Sequence, residues 1–169
     1  MQHFKRNHIH VFVDGACKGN PGPGGWGVVL ILPDVYVKET GGHEKTTTNN
    51  QMELTAAIEA LKALQHRTEP ITIYTDSKYV INGITDWVHK WRKNGWKNFN
   101  KKEVANRKIW EKLLTLTELY PSSIDWKYVP GHSGHDGNER ADEIAVCFSK
   151  GKKPDLFKGK FESYRFTYG

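Results

Sequence analysis

Four acids and one histidine of this 169-residue chain would support metal-assisted chemistry if folding gathered them: Asp14, Glu53, Asp76, Asp142 and His132. Carboxylates are hard oxygen ligands of the kind that hold Mg²⁺, an ion that keeps waters and shares its ligands with phosphate oxygens. Two carboxylates about 4 Å apart repel by on the order of 4 kcal/mol at an effective dielectric of about 20. Four converging acids would therefore destabilise a fold unless cations neutralised them. A pair of such ions can activate a water and stabilise a leaving oxygen in an in-line displacement. His132 lies in a glycine-flanked loop ten residues before Asp142, and a histidine exchanges protons near neutral pH. Each acid also has an ordinary structural use. Asp14-Gly15 fits a turn, and Asp76 before Ser77 fits a helix cap. Asn50-Gln51-Met52-Glu53 fits a capping box with Glu53 reaching back, and Asp142 suits the start of a helix. Singly, none of them carries a function.

The elements that must position these residues follow from periodicity. Ile9, Val11 and Val13 alternate with His10, Phe12 and Asp14, a strand ending at Asp14-Gly15. The loop GNPGPGG (19–25) precedes an apolar run from Trp26 to Leu32. After a turn at Pro33-Asp34 a third strand is expected from Val35 to about Glu39. Short connections make these three an antiparallel meander. Leu54, Ala57, Ile58, Leu61 and Leu64 then recur at helical spacing, predicting a helix over about 50–65. Ile71–Thr75 reads as a strand, Lys78–Ile84 as a short helix, and another helix begins near Trp87. Ile109, Trp110, Leu113 and Leu116 mark a longer helix, Ile124–Val129 the last strand and 138–150 a closing helix. A meander followed by strands joined through helices implies a mixed sheet with helices on both faces. Asp14 and Asp76 would then meet at neighbouring strand ends, about 4.8 Å apart if the strands are parallel.

The acids sit inside four longer motifs: VDGACKGNPGPGGWG (13–27), TTTNNQMELTAAIEAL (46–61), YTDSKYVINGI (74–84) and VPGHSGHDGNERADEIA (129–145). In that order they resemble the catalytic segments of type 1 ribonuclease H, over about residues 9–150. The resemblance implies an α/β ribonuclease H-like fold, a five-stranded mixed sheet of one antiparallel meander plus two parallel strands. It implies that Asp14, Glu53, Asp76 and Asp142 bind metal and catalyse. Two Mg²⁺ ions would act with substrate bound, with Mn²⁺ as a substitute. His132 would assist proton transfer or product release, whereas His135 matches no catalytic role. The implied reaction is endonucleolytic cleavage of the RNA strand of an RNA–DNA hybrid, leaving 5′-phosphate and 3′-hydroxyl ends, with little sequence preference.

Residues 87–102, WVHKWRKNGWKNFNKK, hold six lysines or arginines and four aromatics without one acid. Solvated helix faces usually mix signs, and cations interleaved with aromatics suit a phosphate backbone beside sugars or bases. The segment resembles the family's basic protrusion, so Lys93, Lys97, Lys101 and Lys102 are expected to meet phosphates. The resemblance puts Asn20, Asn49 and Asn50 at the minor groove, whose code is degenerate. It puts backbone groups near Cys17 and Lys78, together with Glu53, at the 2′-hydroxyls that distinguish RNA. Thr48 and Asn106 match a pocket for a DNA-strand phosphate, and Tyr79, Trp87 and Trp91 match aromatic positions near the DNA sugars. Lys78 departs from the glutamine of some members.

The bulk numbers agree with a globular chain. Hydrophobic residues make up 37% and charged residues 26%, which excludes wholesale disorder, and the length suffices for one cored domain. A net charge of +6 and pI near 9.2 suit polyanionic partners. Cys17 and Cys147 form neither zinc spacing nor a disulfide framework, the usage of a cytoplasmic protein with reduced thiols. No stretch approaches the roughly 20 apolar residues of a membrane span. A monomer is expected, with a ribonuclease H domain over 1–150 and a C-terminal extension over 151–169. That extension's Phe161, Tyr164, Phe166 and Tyr168 are expected to pack back onto the domain, with partner binding as the alternative. No host chain is expected, because the core begins within ten residues of Met1. Two rivals are a non-catalytic hybrid-binding module and an integrase-like phosphoryl transferase on a related fold. Retention of all four acids argues against the first, and the NNQME and GHSGHDGNERAD segments argue against the second.

Overall fold

The computed structural model describes residues 7–131, 134 and 136–164. The meander is β1 (Ile9–Cys17), β2 (Gly22–Leu32) and β3 (Tyr36–Thr47). Then follow α1 (Asn49–Ala63), β4 (Ile71–Thr75) and α2 (Lys78–Asn82). A π-helical turn over Gly83–Trp87 leads into α3 (Val88–Lys93). The chain continues through α4 (Arg107–Leu119), β5 (Ile124–Tyr128) and α5 (Asp136–Ser149). A short strand, β6 (Lys158–Lys160), and a 3₁₀ turn over Phe161–Ser163 end the described chain.

The sheet order is β5-β4-β1-β2-β3-β6. β4 lies parallel to both β1 and β5, and the remaining pairs are antiparallel. The expected mixed sheet is therefore present, with six strands where five were expected. The sixth comes from the extension, where Lys158–Lys160 pairs with Tyr36–Lys38 at the outer edge of β3. β3 also runs on to Thr47, well past Glu39, because Gly41 and Gly42 pair with Gly27 and Trp26 rather than breaking the strand.

Alternation along β1 divides the core. Ile9, Val11 and Val13 face one layer with α1, α4 and the Trp96–Val104 region, whereas Phe12 faces a second layer with α5. Leu156, Phe157 and Phe161 pack against that second layer, and Tyr164 is buried within it. The extension's Phe161 and Tyr164 thus pack back as expected; Phe166 and Tyr168 lie outside the described residues. One buried carboxylate fastens the extension. Glu39 of β3 accepts from Arg140 Nε at 2.7 Å, from Arg140 Nη2 at 2.9 Å and from Phe157 N at 2.8 Å, and also from the Tyr164 hydroxyl. Burial pushes the Glu39 carboxyl up, but these donors outweigh it and hold it below its usual value.

Candidate active site

The parallel β1–β4 pair delivers the first two acids. Its register matches Ile9 with Ile71 and Phe12 with Tyr74, so continuing it brings Asp14 level with Asp76. Glu53 arrives from α1, which lies directly on β1 because residue 15 has no side chain. A Cβ at Gly15 would sit 2.4 Å from Glu53 N. α5 approaches from the other layer at Gly27, the cross-strand partner of Asp14, where a Cβ would lie 2.3 Å from the Ala141 carbonyl. Two glycines thus flank Asp14, one next along the chain and one across the strand pair. Each lets a helix bring its acid inward.

Asp14, Glu53 and Asp76 each offer an oxygen within 4.8 Å of the others. Asp142 is not in this close trio, but its charge acts on both Asp14 and Glu53. Asp14 and Glu53 are 3% and 4% exposed. Burial, then the neighbouring negative charges of Glu53, Asp76 and Asp142, holds the Asp14 carboxyl far above the usual carboxylate range. Burial raises Glu53 as well, partly offset by hydrogen bonds from Asp14 and the Gly15 amide. Both shifts favour the protonated form over two full negative charges until other positive charge arrives.

A hard divalent cation fits this donor set. Glu53 Oε2 is buried without a hydrogen-bond partner among the described residues, an arrangement that costs free energy when no cation is present. All three close ligands are carboxylates, the oxygen chemistry that Mg²⁺ takes.

Local capping differs from the sequence reading. Thr48, not Asn50, caps α1, its hydroxyl accepting from Gln51 N at 3.2 Å. Glu53 therefore lies in the second turn, released from any capping role. Ser77, not Asp76, caps α2, its hydroxyl accepting from Val80 N at 3.2 Å. His132 lies outside the described residues, as does His135. The loop that carries His132 begins beside the acids, since a Cβ at Gly131 would lie 3.0 Å from Asp76 Oδ2.

The expected nucleic-acid residues fall into two neighbourhoods. One is the loop edge of the sheet, where Asn49 N donates to Asn20 Oδ1 at 3.1 Å, with Asn50 exposed alongside. Cys17 Sγ donates to the Gly22 and Thr47 carbonyls at 3.4 and 3.3 Å, tying β1, β2 and β3 together there. The other neighbourhood is aromatic. Tyr79, Trp87 and Trp91 are half-buried and adjoin in sequence, Tyr79 edge-on to Trp87 and Trp87 tilted on Trp91, and Trp91 meets Trp110 edge-on at 5.7 Å. Tyr79 Oη accepts from Asn106 Nδ2 and Trp110 Nε1, both at 3.1 Å. Lys78 is exposed, with its ammonium 5.2 Å from the Tyr128 ring centre.

Sequence reasoning missed Gln51. Its backbone N–H donates to the Thr48 hydroxyl at 3.2 Å and its side-chain Nε2 donates to Asn106 Oδ1 at 3.1 Å, so it links Thr48 to Asn106. The only signal was its place inside NNQME. In the basic segment, Lys90 pairs with Asp86 and Arg92 with Glu118. Lys93, Lys97, Lys101 and Lys102 are exposed and have no ion-pair partner among the described residues.

Comparison with known proteins extends the geometry. The RNase H family model matches residues 6–149. The Ribonuclease H of Francisella philomiragia is 53% identical over 141 residues, 83% of this chain and 90% of that protein. The Ribonuclease H of Rhizobium meliloti is 51% identical over 155 residues, 89% of this chain and 99% of that protein. Among solved structures, LC9-RNase H1, a type 1 RNase H with the type 2 active-site motif, is similar at a TM-score of 0.79. It is 30% identical, and the likeness covers 95% of this chain and 82% of that one. With a match spanning all four acids and relatives half identical over nearly their full lengths, this chain belongs to the ribonuclease H family.

Proposed function

We propose that the protein is a metal-dependent endonuclease that hydrolyses the RNA strand of RNA–DNA hybrids with little sequence preference. The observation that carries this reading is the carboxylate trio at the parallel strand ends, two of its members buried and Glu53 Oε2 without a hydrogen-bond partner among the described residues. Asp14, Glu53, Asp76 and Asp142 would hold two Mg²⁺ ions, with Mn²⁺ as a substitute. Such ions supply positive charge that makes a water nucleophilic and neutralises a leaving oxygen. The water oxygen bonds to phosphorus as the bond to the 3′ oxygen breaks, leaving a 5′-phosphate and a 3′-hydroxyl.

The chain's own residues bind and orient the duplex. Thr48 and Asn106, linked through Gln51, take a DNA-strand phosphate, while Tyr79, Trp87 and Trp91 lie along the DNA sugars. Asn20, Asn49 and Asn50 enter the minor groove. Glu53 and the backbone near Cys17 and Lys78 meet the 2′-hydroxyls, which a DNA duplex lacks. Lys93, Lys97, Lys101 and Lys102 hold the backbone further out. His132, in the segment between β5 and α5, moves a proton or helps release product. The protein acts as a monomer in the cytoplasm, in keeping with its two free thiols. Among the described residues no helix is long and apolar enough to cross a membrane.

A labelled hybrid and a DNA duplex of the same sequence, each with and without Mg²⁺, test the reading. The RNA strand of the hybrid is cut only with metal, and the DNA duplex survives. Comparable cutting of the DNA duplex would refute this function and favour an integrase-like transferase; binding without cutting would favour a hybrid-binding module.

A further inference from the structure

Three lysines from remote parts of the chain converge on a groove that the catalytic reading leaves unused. Lys18 follows the end of β1, Lys45 sits near the end of β3 and Lys150 follows α5. With Pro23, His43 and Ser149 they line an open groove of about 370 Å³. His43 Nδ1 donates to the Phe148 carbonyl at 2.8 Å, which turns His43 to α5, and Lys45 lines the same groove beyond a register shift in the β2–β3 pairing. Glu44, between them, belongs to the opposite face. Lys18, Lys45 and Lys150 are exposed and have no ion-pair partner among the described residues. The carboxyl end of α5 favours one nearby cation, which accounts for Lys150 but not for Lys18 or Lys45. Like charges gathered from three elements, with no acid among the described residues lining the groove, repel one another and gain only from an anion.

The position of the groove selects the anion. Lys18 shares the β1–β2 loop with Asn20, whose Oδ1 holds Asn49 N, so the groove continues the loop edge of the sheet. It is built against α5, whereas Trp96 and Val104 of the basic segment's region pack into the opposite layer. The close carboxylates stand on β1, α1 and the end of β4, and none of them lines this groove. We infer that this groove holds backbone phosphates of the same hybrid, further along the duplex than the acids and away from the Lys93–Lys102 side. The inference rests on the hybrid-cleaving reading and adds a second, sequence-independent handle to it.

The test compares KM and kcat, with Mg²⁺, on hybrids short enough to cover only the acidic centre and long enough to pass over both basic regions, about 8 and about 24 base pairs. The variants are Lys45→Ala/Lys150→Ala and, as a control removing equal charge from α4, Lys108→Ala/Lys112→Ala. The groove variant raises KM on the long hybrid about five- to tenfold, with kcat unchanged and KM on the short hybrid unchanged. Its salt dependence on the long hybrid becomes shallower by roughly 1.8 in log–log slope if two phosphates are lost. The control moves neither substrate. An unchanged KM on the long hybrid, an equal rise on both lengths, or an equal effect of the control overturns the inference while cleavage persists. Failure of the wild-type protein to cut either hybrid overturns the hybrid-cleaving reading itself.

Discussion

At the scale of single residues, the site turns on a proton that a divalent cation would displace. Asp14 and Glu53 were recognisable in the sequence as acids inside motifs, but their depth was not, because depth comes from two helices closing over them. An acid whose folded pKa is raised binds a proton in the native state that the unfolded chain releases. Its contribution to stability is full below the unfolded value, about 4, and is lost as pH rises towards the folded value. Asp14→Asn supplies the neutral state permanently. In chelator, thermal unfolding of Asp14→Asn should exceed wild type by at least about 3 °C at pH 8, and by less at pH 5. Equal gaps at both pH values would show that the wild-type pair is not protonated. In Mg²⁺ the same variant should lose cleavage by far more than tenfold, with hybrid binding still measurable. A variant keeping more than about a tenth of the rate, a barrier change under ~1.4 kcal/mol, would remove Asp14 from the metal ligands.

At the scale of elements, the helices reach the acids because two positions beside Asp14 carry no side chain. Gly27→Ala would drive a methyl carbon into the Ala141 carbonyl and push α5 outward. Overpacking of this kind costs roughly 1–3 kcal/mol, a loss of a few degrees in Tm that differential scanning calorimetry would register. Activity should fall further than stability accounts for, since α5 carries Asp142; a variant with lowered Tm but full kcat would exclude α5 position from catalysis. The order of elements was legible from periodicity: the helix predicted over 50–65 forms over Asn49–Ala63, and the strand at Ile71–Thr75 is in place. Their ends were less legible. The capping-box reading put the cap at Asn50, whereas the hydroxyl of Thr48 takes the Gln51 N–H. The π-helical turn at Gly83–Trp87 has no periodic signature, since it forms where the chain passes from α2 to α3 while Tyr79, Trp87 and Trp91 pack together. Strand β6, three residues around a glycine, exists only because β3 offers it an edge.

At the scale of the whole molecule, charge is arranged rather than merely abundant. Two of the six cations in 87–102 are engaged by Asp86 and Glu118, and the four that remain form the surface expected to meet phosphate. Changing Lys93, Lys97, Lys101 and Lys102 to alanine should raise KM and leave kcat nearly unchanged. If about two of them contact phosphate at once, the slope of log affinity against log salt becomes shallower by roughly 1.5 to 2. Binding measured at several salt concentrations decides this, and an unchanged slope would mark the segment as an ordinary solvated face. The extension bears on a different property, colloidal behaviour. Without it the outer backbone of β3 over Tyr36–Lys38 would be an open hydrogen-bonding row, a template for joining another sheet. What the molecule presents instead is Lys158-Gly159-Lys160, a rim too short and too charged to recruit a second copy. A chain lacking residues 154–169 should therefore scatter light and sediment as multimers at concentrations where the 169-residue chain stays dispersed.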